Sequence, residues 1–364
     1  MKRRLFAVIF CATTMVALAQ QPKVSNTHFN VEPIGGTLTA AVERFRGSSE
    51  QLWLGYEVAA LPQSHFSTCS NWQDSSQVDD GCCGEYRLEE NDGYSMNRGD
   101  KAPAIQNVYI LIRFEHGQPI RIRPVMAGCH LNAGGVAFTW LTGVQPEESI
   151  SYLAKLAEAG SESDHAGSNH TGSDHGRIVD GALLSVGYHA TPAATHALVE
   201  VASSGAPMHT REQAAFWLGV LRGHEGFVAL QSLEKTTTDM TLREKLPFDF
   251  SQNSDPAAEE ELLRMAKSDS NSKVREQALF WIAQKVGKKA VAAITDAIQN
   301  DPETEVKKKA VFALSQLPKD ESVPQLIHVA DSNKNPAVRK EAYFWLGQSH
   351  AERALAYFEQ VLKR

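Results

Sequence analysis

Apolar residues return at a fixed interval along the second half of the chain, on a short segment that combines Arg, Ala, Phe and Leu. The clearest copies are evenly spaced and read Arg211-Glu-Gln-Ala-Ala-Phe-Trp-Leu, Arg275-Glu-Gln-Ala-Leu-Phe-Trp-Ile and Arg339-Lys-Glu-Ala-Tyr-Phe-Trp-Leu. Weaker copies begin halfway between them, at Arg243 and Lys307. This repeat interval falls within the range typical of solenoids, in which no repeat buries its core alone.

Each repeat is predicted to hold two helices. The A helix carries the Arg-x-x-Ala-x-Phe-x-Leu pattern, and the B helix follows after a short break, as at 322–330. A diverged first copy begins at Val179, so about six repeats fill residues 179–364. Phenylalanines that recur in register are predicted to form the stacked core between repeats: Phe216, Phe248, Phe280, Phe312 and Phe344.

The third copy departs from this pattern. Pro247 lies inside its A helix, and Asp249 takes the place of the tryptophan found in the second, fourth and sixth copies. Those tryptophans are predicted to pack in the helix layer. A proline inside a helix removes a hydrogen bond and costs about 3 kcal/mol. We therefore expect the helix near 243–252 to be kinked or to start late, which makes Pro247 a candidate hinge, unless Pro247 falls in the first turn and is tolerated there.

The chain opens with the features of a secretory signal peptide. Basic residues at 2–4 precede the apolar run 5–17, and Ala17-Leu18-Ala19 provides a cleavage site before Gln20. The run is short for a membrane anchor. We therefore expect cleavage near Ala19 and a periplasmic or secreted bacterial protein, and we predict no membrane insertion because no later segment is long and apolar enough.

Four cysteines follow the signal peptide: Cys69, Cys82, Cys83 and Cys129. Export favours disulfides, and adjacent Cys82 and Cys83 could pair with each other only through a strained ring. Cys69 and Cys129 are therefore each expected to pair with one of these two, in an order that the sequence leaves open. A metal site that combines the thiolates with His130 is the alternative, but the spacing matches no zinc pattern.

Residues 20–144 are predicted to form a small β-rich domain with one short helix after Thr37. The Ser-, Asp-, Asn- and Gly-rich stretch between Ser64 and Lys101 holds three cysteines and has little apolar content, so it depends on disulfides for its shape. Alternation of apolar residues and a Gly turn predict strands, with a hairpin between the second and third: 51–58, 108–114, 118–123 and 135–140. In the third strand, Arg121 and Arg123 alternate with isoleucines as in a half-buried strand.

Residues 145–178 are predicted to form a helix from Pro146 and then a mobile tether. The tether repeats a five-residue motif that places His165, His170 and His175 beside Asp or Asn. Three imidazoles at this spacing could chelate zinc, copper or nickel weakly, but a flexible segment lacks the supporting hydrogen bonds of a built site. We therefore predict no metal and no cofactor and keep the three histidines as weak candidates.

The repeats resemble the HEAT-repeat superfamily, in the short variety found in phycobilisome-lyase-type proteins. Asp269 and Asp301 stand six residues before Arg275 and Lys307, similar to the Asp and Arg ladder that ties HEAT repeats together. The other matching residues lie at the start of the A helix: Val274-Arg275, Val306-Lys307 and Val338-Arg339, with Pro302 or Pro336 before them. The layout is also similar to that of exported bacterial HEAT-repeat proteins.

The resemblance is informative about fold, and two kinds of enzyme share it. Bilin lyases contain such repeats, but an exported protein would meet no phycobiliprotein. Deoxyhypusine hydroxylase, another HEAT protein with short repeats, binds iron through recurring His-Glu pairs, and His224-Glu225 is the only such pair in this sequence. We therefore predict no iron site.

The predicted fold class is α+β with several domains: signal peptide 1–19, disulfide-stapled β-rich domain 20–144, helix and tether 145–178, and α-α solenoid 179–364. Eleven basic and nineteen acidic residues give 20–178 a formal charge of −8, and the whole chain carries −7. A nucleic-acid partner is not expected, because it would require a basic face.

The expected function is that of an exported, non-catalytic scaffold that binds a protein or peptide through the solenoid surface. Two alternatives stay open. One is an exported enzyme or accessory subunit with its site in the β-rich domain, where Asp100, His116 and His130 are candidate groups. The other is weak metal handling by the tether histidines.

Overall fold

The protein is described by a computed structural model over residues 21–46, 50–61, 82, 84–90, 106–160 and 174–363. Within these ranges a β-rich N-terminal part is followed by stacked helix pairs. The predicted combination of a β-rich domain with an α-solenoid is therefore confirmed. No helix in the described ranges is long and apolar enough to cross a membrane.

The described residues of the N-terminal part form two small sheets and one helix, α1 (Leu38–Arg46). Its strands are β1 Val24–Ser25, β2 Phe29–Pro33, β3 Leu52–Ala59, β4 Glu85–Arg87, β5 Asn107–Glu115, β6 Gln118–Met126, β7 His130–Asn132 and β8 Ala137–Thr142. Five of them form a mixed sheet in the order β2-β8-β3-β5-β6, and three form a parallel sheet in the order β1-β7-β4. The predicted strands correspond to β3, β5, β6 and β8.

The β5–β6 hairpin confirms the predicted turn. Glu115 pairs with Gln118 across a two-residue turn in which His116 and Gly117 have φ of 47° and 71°. Positive φ at both central positions matches the twist of the flanking strands. Position 117 also requires glycine for space, because a Cβ there would lie 2.0 Å from the carbonyl oxygen of Arg46.

Strand β6 departs from the predicted alternation, because Arg123 is only 1% exposed. Its guanidinium donates to the backbone carbonyls of Arg87 and Glu90 and lies over the ring of Tyr86, 5.6 Å from the centroid. The segment 84–90 therefore covers this side of the strand and supplies acceptors for a buried cation. Sequence alternation alone could not show that cover.

Cys82 and Cys129 form a disulfide with their Cα atoms 5.4 Å apart. This confirms that Cys129 pairs with one of the two adjacent cysteines. The bridge joins residues 47 positions apart, and closing a loop of that length removes about 4 kcal/mol of chain entropy from the unfolded state. Cys69 and Cys83 lie outside the described residues, so the second bridge stays a prediction.

The helices that follow are arranged mainly as antiparallel pairs. They are α2 Pro146–Gly160, α3 Asp174–Tyr188, α4 Pro192–Ser203, α5 Met208–Leu221, α6 Gly223–Thr236, α7 Met240–Gln252, α8 Ala257–Ser268, α9 Ser272–Val286, α10 Val291–Asn300, α11 Thr304–Ser315, α12 Lys319–Ser332, α13 Pro336–Gln348 and α14 Glu352–Leu362. From α3 onward the odd-numbered helices are A helices and the even-numbered ones are B helices, which makes six pairs. From α5 to α13 the A helices begin at equal spacing, and that spacing is the repeat interval of the sequence.

The predicted boundary between tether and solenoid needs correction. Helix α2 packs on α3 and α4, so it belongs to the helical array, and α3 begins at Asp174 rather than at Val179. Residues 161–173, with His165 and His170, lie outside the described residues, and the His175 side chain is not described. The predicted helix from Pro146 is present as α2, and α3 takes in residues 174–178 of the predicted tether.

Two columns of side chains that recur at the repeat interval form the solenoid core. Each member is exposed by 1% or less. One column starts from the A-helix alanine position and the other lies four residues later: Ala214, Leu246, Ala278, Ala310 and Ala342; Leu218, Phe250, Ile282, Leu314 and Leu346. Positions four apart share one helix face, so both columns point toward the neighbouring helices.

Arginines near the start of the A helices tie the repeats together. Arg275 donates to the backbone carbonyl of Asp269 at 2.8 Å and to the carboxylate of Asp301 at 2.7 Å, so it joins the ends of two successive B helices. Arg211–Asp239 and Arg243–Asp269 form equivalent ion pairs at 2.7 and 2.8 Å. The resemblance to the HEAT ladder therefore holds, but Lys307 donates to the carbonyl of Gln299 instead of pairing with Asp301.

A buried polar chain joins the sheet to the first repeat. Tyr56 on β3 lies 2.8 Å from Ser149 on α2, Ser149 lies 2.9 Å from Nε2 of His189, and Nδ1 of His189 lies 2.8 Å from the carbonyl oxygen of Ser185. A carbonyl only accepts, so Nδ1 carries the proton. Neutral His189 therefore accepts from Ser149, which accepts from Tyr56.

Close packing reinforces this junction. Helix α3 packs on β6, where a Cβ at Gly181 would lie 2.2 Å from the carbonyl oxygen of Ile122. Arg222, buried at the end of α5, donates to the carbonyls of Gly187, His189 and Thr191. These carbonyls lie at or beyond the C-terminus of α3, where carbonyl groups have no N–H partner within the helix. The β-rich part and the first two repeats therefore form one continuous packed body.

We predict that the free energy of unfolding falls in mild acid because His189 is buried. Burial lowers the pKa of His189 to about 4, so the unfolded chain binds the proton more readily. The free energy of unfolding is therefore highest above pH 6.5 and decreases by up to about 3 kcal/mol as the pH falls toward 4. The measurement is the unfolding free energy from denaturant titrations between pH 4 and 7.

His189→Gln should flatten this pH dependence relative to the unchanged protein. The matched control is His196→Gln, because His196 is exposed on α4. A slope in His189→Gln equal to that of the unchanged protein would show that other groups cause the acid sensitivity.

Candidate functional site

The A helices carry a continuous ladder of eight aromatic rings, which we call the aromatic ladder. Neighbouring rings have centroids 4.6 to 5.8 Å apart. The ladder crosses five successive A helices in the order Trp217, Phe216, Phe248, Trp281, Phe280, Phe312, Trp345 and Phe344. Each contact lies in the favourable range for aromatic pairs, so the rings form one connected strip.

The structure corrects the predicted role of the five phenylalanines. Phe216, Phe248, Phe280 and Phe312 are half-buried, and Phe344 is 54% exposed. The reason is helical geometry: each Phe lies two residues from both buried columns, which places it about 200° around the helix from them. The rings do span neighbouring repeats in register, but they line the surface of the A-helix layer and not its core.

Two A helices of the ladder lack the tryptophan: α11 has Ala313 at that position, and α7 has Asp249. Asp249 is 3% exposed, and its Oδ2 has no hydrogen-bond partner among the described residues. Burial raises the pKa of this carboxyl well above its usual value, with Glu212 adding to the effect and Lys245 opposing it. The ladder continues past Asp249 because Phe248 contacts both Phe216 and Trp281.

Charged side chains of both signs flank the ladder. Near its start, Lys245 pairs with Glu212 at 3.8 Å. Near its end, Lys309 lies 5.9 Å from the centroid of Phe312, and Trp345 donates to Glu341 at 2.9 Å. An apolar strip with a charged rim has the anatomy of a protein interface, in which aromatic anchors supply most of the binding energy.

A second concave surface lies between B helices α8 and α10. Its volume is about 790 Å³, and it is lined by Leu263 and by small and charged side chains such as Ala292, Lys267, Lys289 and Asp296. No aromatic ring is among the described residues that line it. It therefore offers weaker anchors than the aromatic ladder.

The candidate catalytic groups of the β-rich part are not brought together. His116 lies in the β5–β6 turn and His130 begins β7, so the length of β6 separates them by about 25 Å at the usual strand rise. Asp100 lies outside the described residues. His130 lies beside Glu85, 3.9 Å away.

Metal-binding residues were predicted only weakly, and the structure adds little about them. Within the described ranges, no three His, Cys, Asp or Glu side chains cluster closely enough to hold a metal ion. The isolated His224-Glu225 pair has other partners, because His224 lies 2.6 Å from Asp255 and Glu225 accepts from Arg222. The tether histidines therefore stay weak candidates for metal binding.

Comparison with known families agrees with the helix-pair geometry. Residues 259–342 and 291–364 match the family model of HEAT repeats. The chain therefore carries HEAT repeats over residues 259–364. HEAT repeats typically mediate protein binding, so their surface is where a partner is to be sought. No curated protein sequence matches the chain.

Three solved structures are similar to part of the chain at low identity. The complex of CpcE and CpcF of phycocyanin lyase from Nostoc sp. PCC7120 is 22% identical, with a TM-score of 0.32, over 43% of this chain and 99% of that chain. Human deoxyhypusine hydroxylase in complex with glycerol is 16% identical, with a TM-score of 0.30, over 59% and 90%.

Importin beta, in a structure obtained in a polyethylene glycol condition, is 17% identical, with a TM-score of 0.29, over 58% of this chain and 31% of its own. At these identities and TM-scores none of the three likenesses bears on ligand or activity. The site of this HEAT-repeat domain has to be argued from its own side chains.

Pro247, the candidate hinge, is buried within the third A helix. Helix α7 begins at the same sequence spacing as the other A helices. Asp239 caps it by accepting hydrogen bonds from the amides of Thr241 and Leu242. The expected late start is therefore wrong, and Pro247 is the eighth residue of the helix rather than part of its first turn. Since proline has no N–H, the carbonyl of Arg243 loses its helical donor.

We predict that Pro247→Ala stabilises the protein. Restoring the missing helical hydrogen bond recovers about 3 kcal/mol, and the loss of buried ring surface offsets part of it, so the free energy of unfolding should rise by about 1 to 2 kcal/mol. The measurement is the thermal midpoint, read by circular dichroism in the far ultraviolet.

The matched control is Pro336→Ala, because Pro336 is the first residue of α13, where proline is well tolerated. It should leave the midpoint nearly unchanged. An unaltered midpoint in Pro247→Ala would contradict the idea that this helix is strained.

Proposed function

We propose that this HEAT-repeat protein is a scaffold that binds an extended segment of another protein along the aromatic ladder. The observation that carries the proposal is the unbroken run of aromatic rings, most of them half-exposed, across five A helices. Monomer surfaces seldom expose contiguous apolar strips without a binding role. Tryptophan and other aromatic side chains are also enriched among the residues that dominate binding energy.

The spacing of the ladder fits one backbone conformation. Packed helices lie about 8 to 10 Å apart, so each repeat advances the ladder by about that distance. A polyproline II segment advances about 3.1 Å per residue, or about 9.3 Å for three residues. Apolar side chains at every third residue would therefore meet successive pairs of rings, and prolines keep such a segment extended at little entropic cost.

Charged residues of both signs beside the aromatic ladder also suit the binding of an extended segment. Glu212 and Lys245 lie near one end of the ladder, while Lys309 and Glu341 lie near the other. Rim charges affect association rate and register more than affinity. The apolar side chains of the segment are therefore expected to supply most of the binding energy.

The proposed location is the periplasm or the outside of the cell, after cleavage near Ala19. The Cys82–Cys129 disulfide supports this proposal, because stable disulfides are typical of oxidising compartments. The signal segment itself lies outside the described residues. A partner would then be another exported or surface protein.

We predict that a twelve-residue peptide with proline at every third position binds the unchanged protein and shifts its tryptophan fluorescence, since Trp281 and Trp345 lie in the ladder. Phe280→Ser combined with Phe312→Ser should weaken binding at least about tenfold, because two central rings are lost. The measurement is the dissociation constant from fluorescence titration.

Two controls make this test specific. Leu263→Ser alters the surface between α8 and α10 and should leave binding unchanged. A peptide of the same composition with proline at every fourth position should bind more weakly. If the unchanged protein ignores the first peptide, or if Leu263→Ser abolishes binding, the proposed site is wrong.

Export makes a separate prediction. Protein purified from whole bacterial cells together with their medium should begin at Gln20 and show no free thiol at Cys82 or Cys129. Intact-mass analysis, with and without a thiol-alkylating reagent, measures both. A chain that retains Met1 with these thiols reduced would contradict export.

A further inference from the structure

The last helix pair exposes a group of large apolar side chains on the side where a further pair would pack. Leu355 and Leu362 on α14 are 62% and 87% exposed, and Phe344 on α13 is 54% exposed. Phe358 and Tyr343 are partly exposed beside them. We call these five residues the end face.

Comparison with equivalent positions of the other repeats shows what normally covers this surface. The equivalents of Phe358 and Tyr343 are buried in the internal repeats, where the following helix pair packs on them. The equivalents of Leu362 are Ala202, Glu234, Ala266, Ile298 and Ala330, all exposed by 6% or less. Phe344 also lacks the ring contact to a following repeat that Phe312 makes with Trp345. The end face therefore has the shape and chemistry of a surface that receives another helix pair.

The opposite end of the array cannot supply that cover in a second copy. Helix α3 is packed against β6, and α2 packs on α3 and α4. Head-to-tail stacking of copies is therefore blocked by the β-rich part. Of the two ends of a second copy, the end face is therefore the one that is free to contact this end face, and such a contact is isologous and closed.

Charges along α14 suit such a contact. Glu352 lies at the start of the helix, one turn before Leu355, and Lys363 directly follows Leu362. When two α14 helices lie antiparallel, Leu355 of each copy faces Leu362 of the other. The same arrangement brings Glu352 of each copy near Lys363 of the other, so the charges at both ends are complementary.

From this geometry we propose that the chain forms a two-fold symmetric dimer in which the end faces of two copies pack together with their α14 helices antiparallel. The dimer goes beyond the proposed ladder function and does not depend on it. It places two aromatic ladders in one particle, so a partner with two extended segments would bind with higher avidity.

Sedimentation velocity of the protein from low micromolar concentration to about 200 µM, a range that covers weak dimers, tests the proposal. The unchanged protein should approach twice the monomer mass with rising concentration. Leu355→Glu combined with Leu362→Glu should stay monomeric with an unchanged thermal midpoint, since both side chains are exposed. Val228→Glu, at a half-exposed position of α6, is the matched control and should dimerise normally.

Charge variants test the antiparallel arrangement itself. Glu352→Lys alone should weaken the dimer roughly fivefold, and adding Lys363→Glu should restore it, because the double exchange re-forms both ion pairs. Glu359 lies on the same side near the middle of α14, where two copies approach each other, so Glu359→Gln should tighten the dimer.

Two results would overturn the proposal. One is an unchanged protein that stays monomeric at the highest concentration, which would mean that the end face binds something other than a second copy. The other is dimerisation of the double Leu→Glu variant as strong as that of the unchanged protein. Peptide binding at the ladder is measured separately, so failure of one proposal leaves the other intact.

Discussion

Stacking of each helix pair on the next is the interaction on which the solenoid depends. A single pair of amphipathic helices buries too little apolar surface to fold alone. The two core columns are therefore shielded from water only when successive repeats pack against each other. The arginine–aspartate pairs hold neighbouring repeats in a fixed position relative to each other, because Arg275 joins the ends of two successive B helices. The length of the array and the way its two ends are covered then decide which surfaces remain available.

The two ends of the helical array differ in what covers them. At the N-terminal end, sheet, α2 and α3 meet through buried polar groups, and the neutral His189 satisfies both Ser149 and the carbonyl of Ser185. A buried polar chain of this kind is stabilising only while every member is satisfied. At the C-terminal end the last pair presents leucines and a phenylalanine. The β-rich part thus acts as a cap for one end, and the other end retains the chemistry of an internal repeat.

The same sequence period that builds the core also builds the aromatic ladder. Residues four apart in the A helix point inward, and the phenylalanine between them points away on the opposite side. Repetition then brings each ring next to the ring of the following repeat, so one sequence pattern yields two parallel columns with different roles. The core column stabilises the fold, and the surface column is available for a partner.

Sequence by itself determined the period, the number of helix pairs and the hairpin, because local periodicity and turn residues specify each of these without distant contacts. It also restricted the partner of Cys129 to one of two adjacent cysteines. Tertiary structure decided what depends on neighbours from elsewhere in the chain. It placed the phenylalanines on the surface, Arg123 beneath the segment 84–90, and Asp249 in a buried position that hydropathy would not assign to a carboxylate. Exposure is a property of packed surfaces, and packing is complete only when residues far apart in the sequence meet.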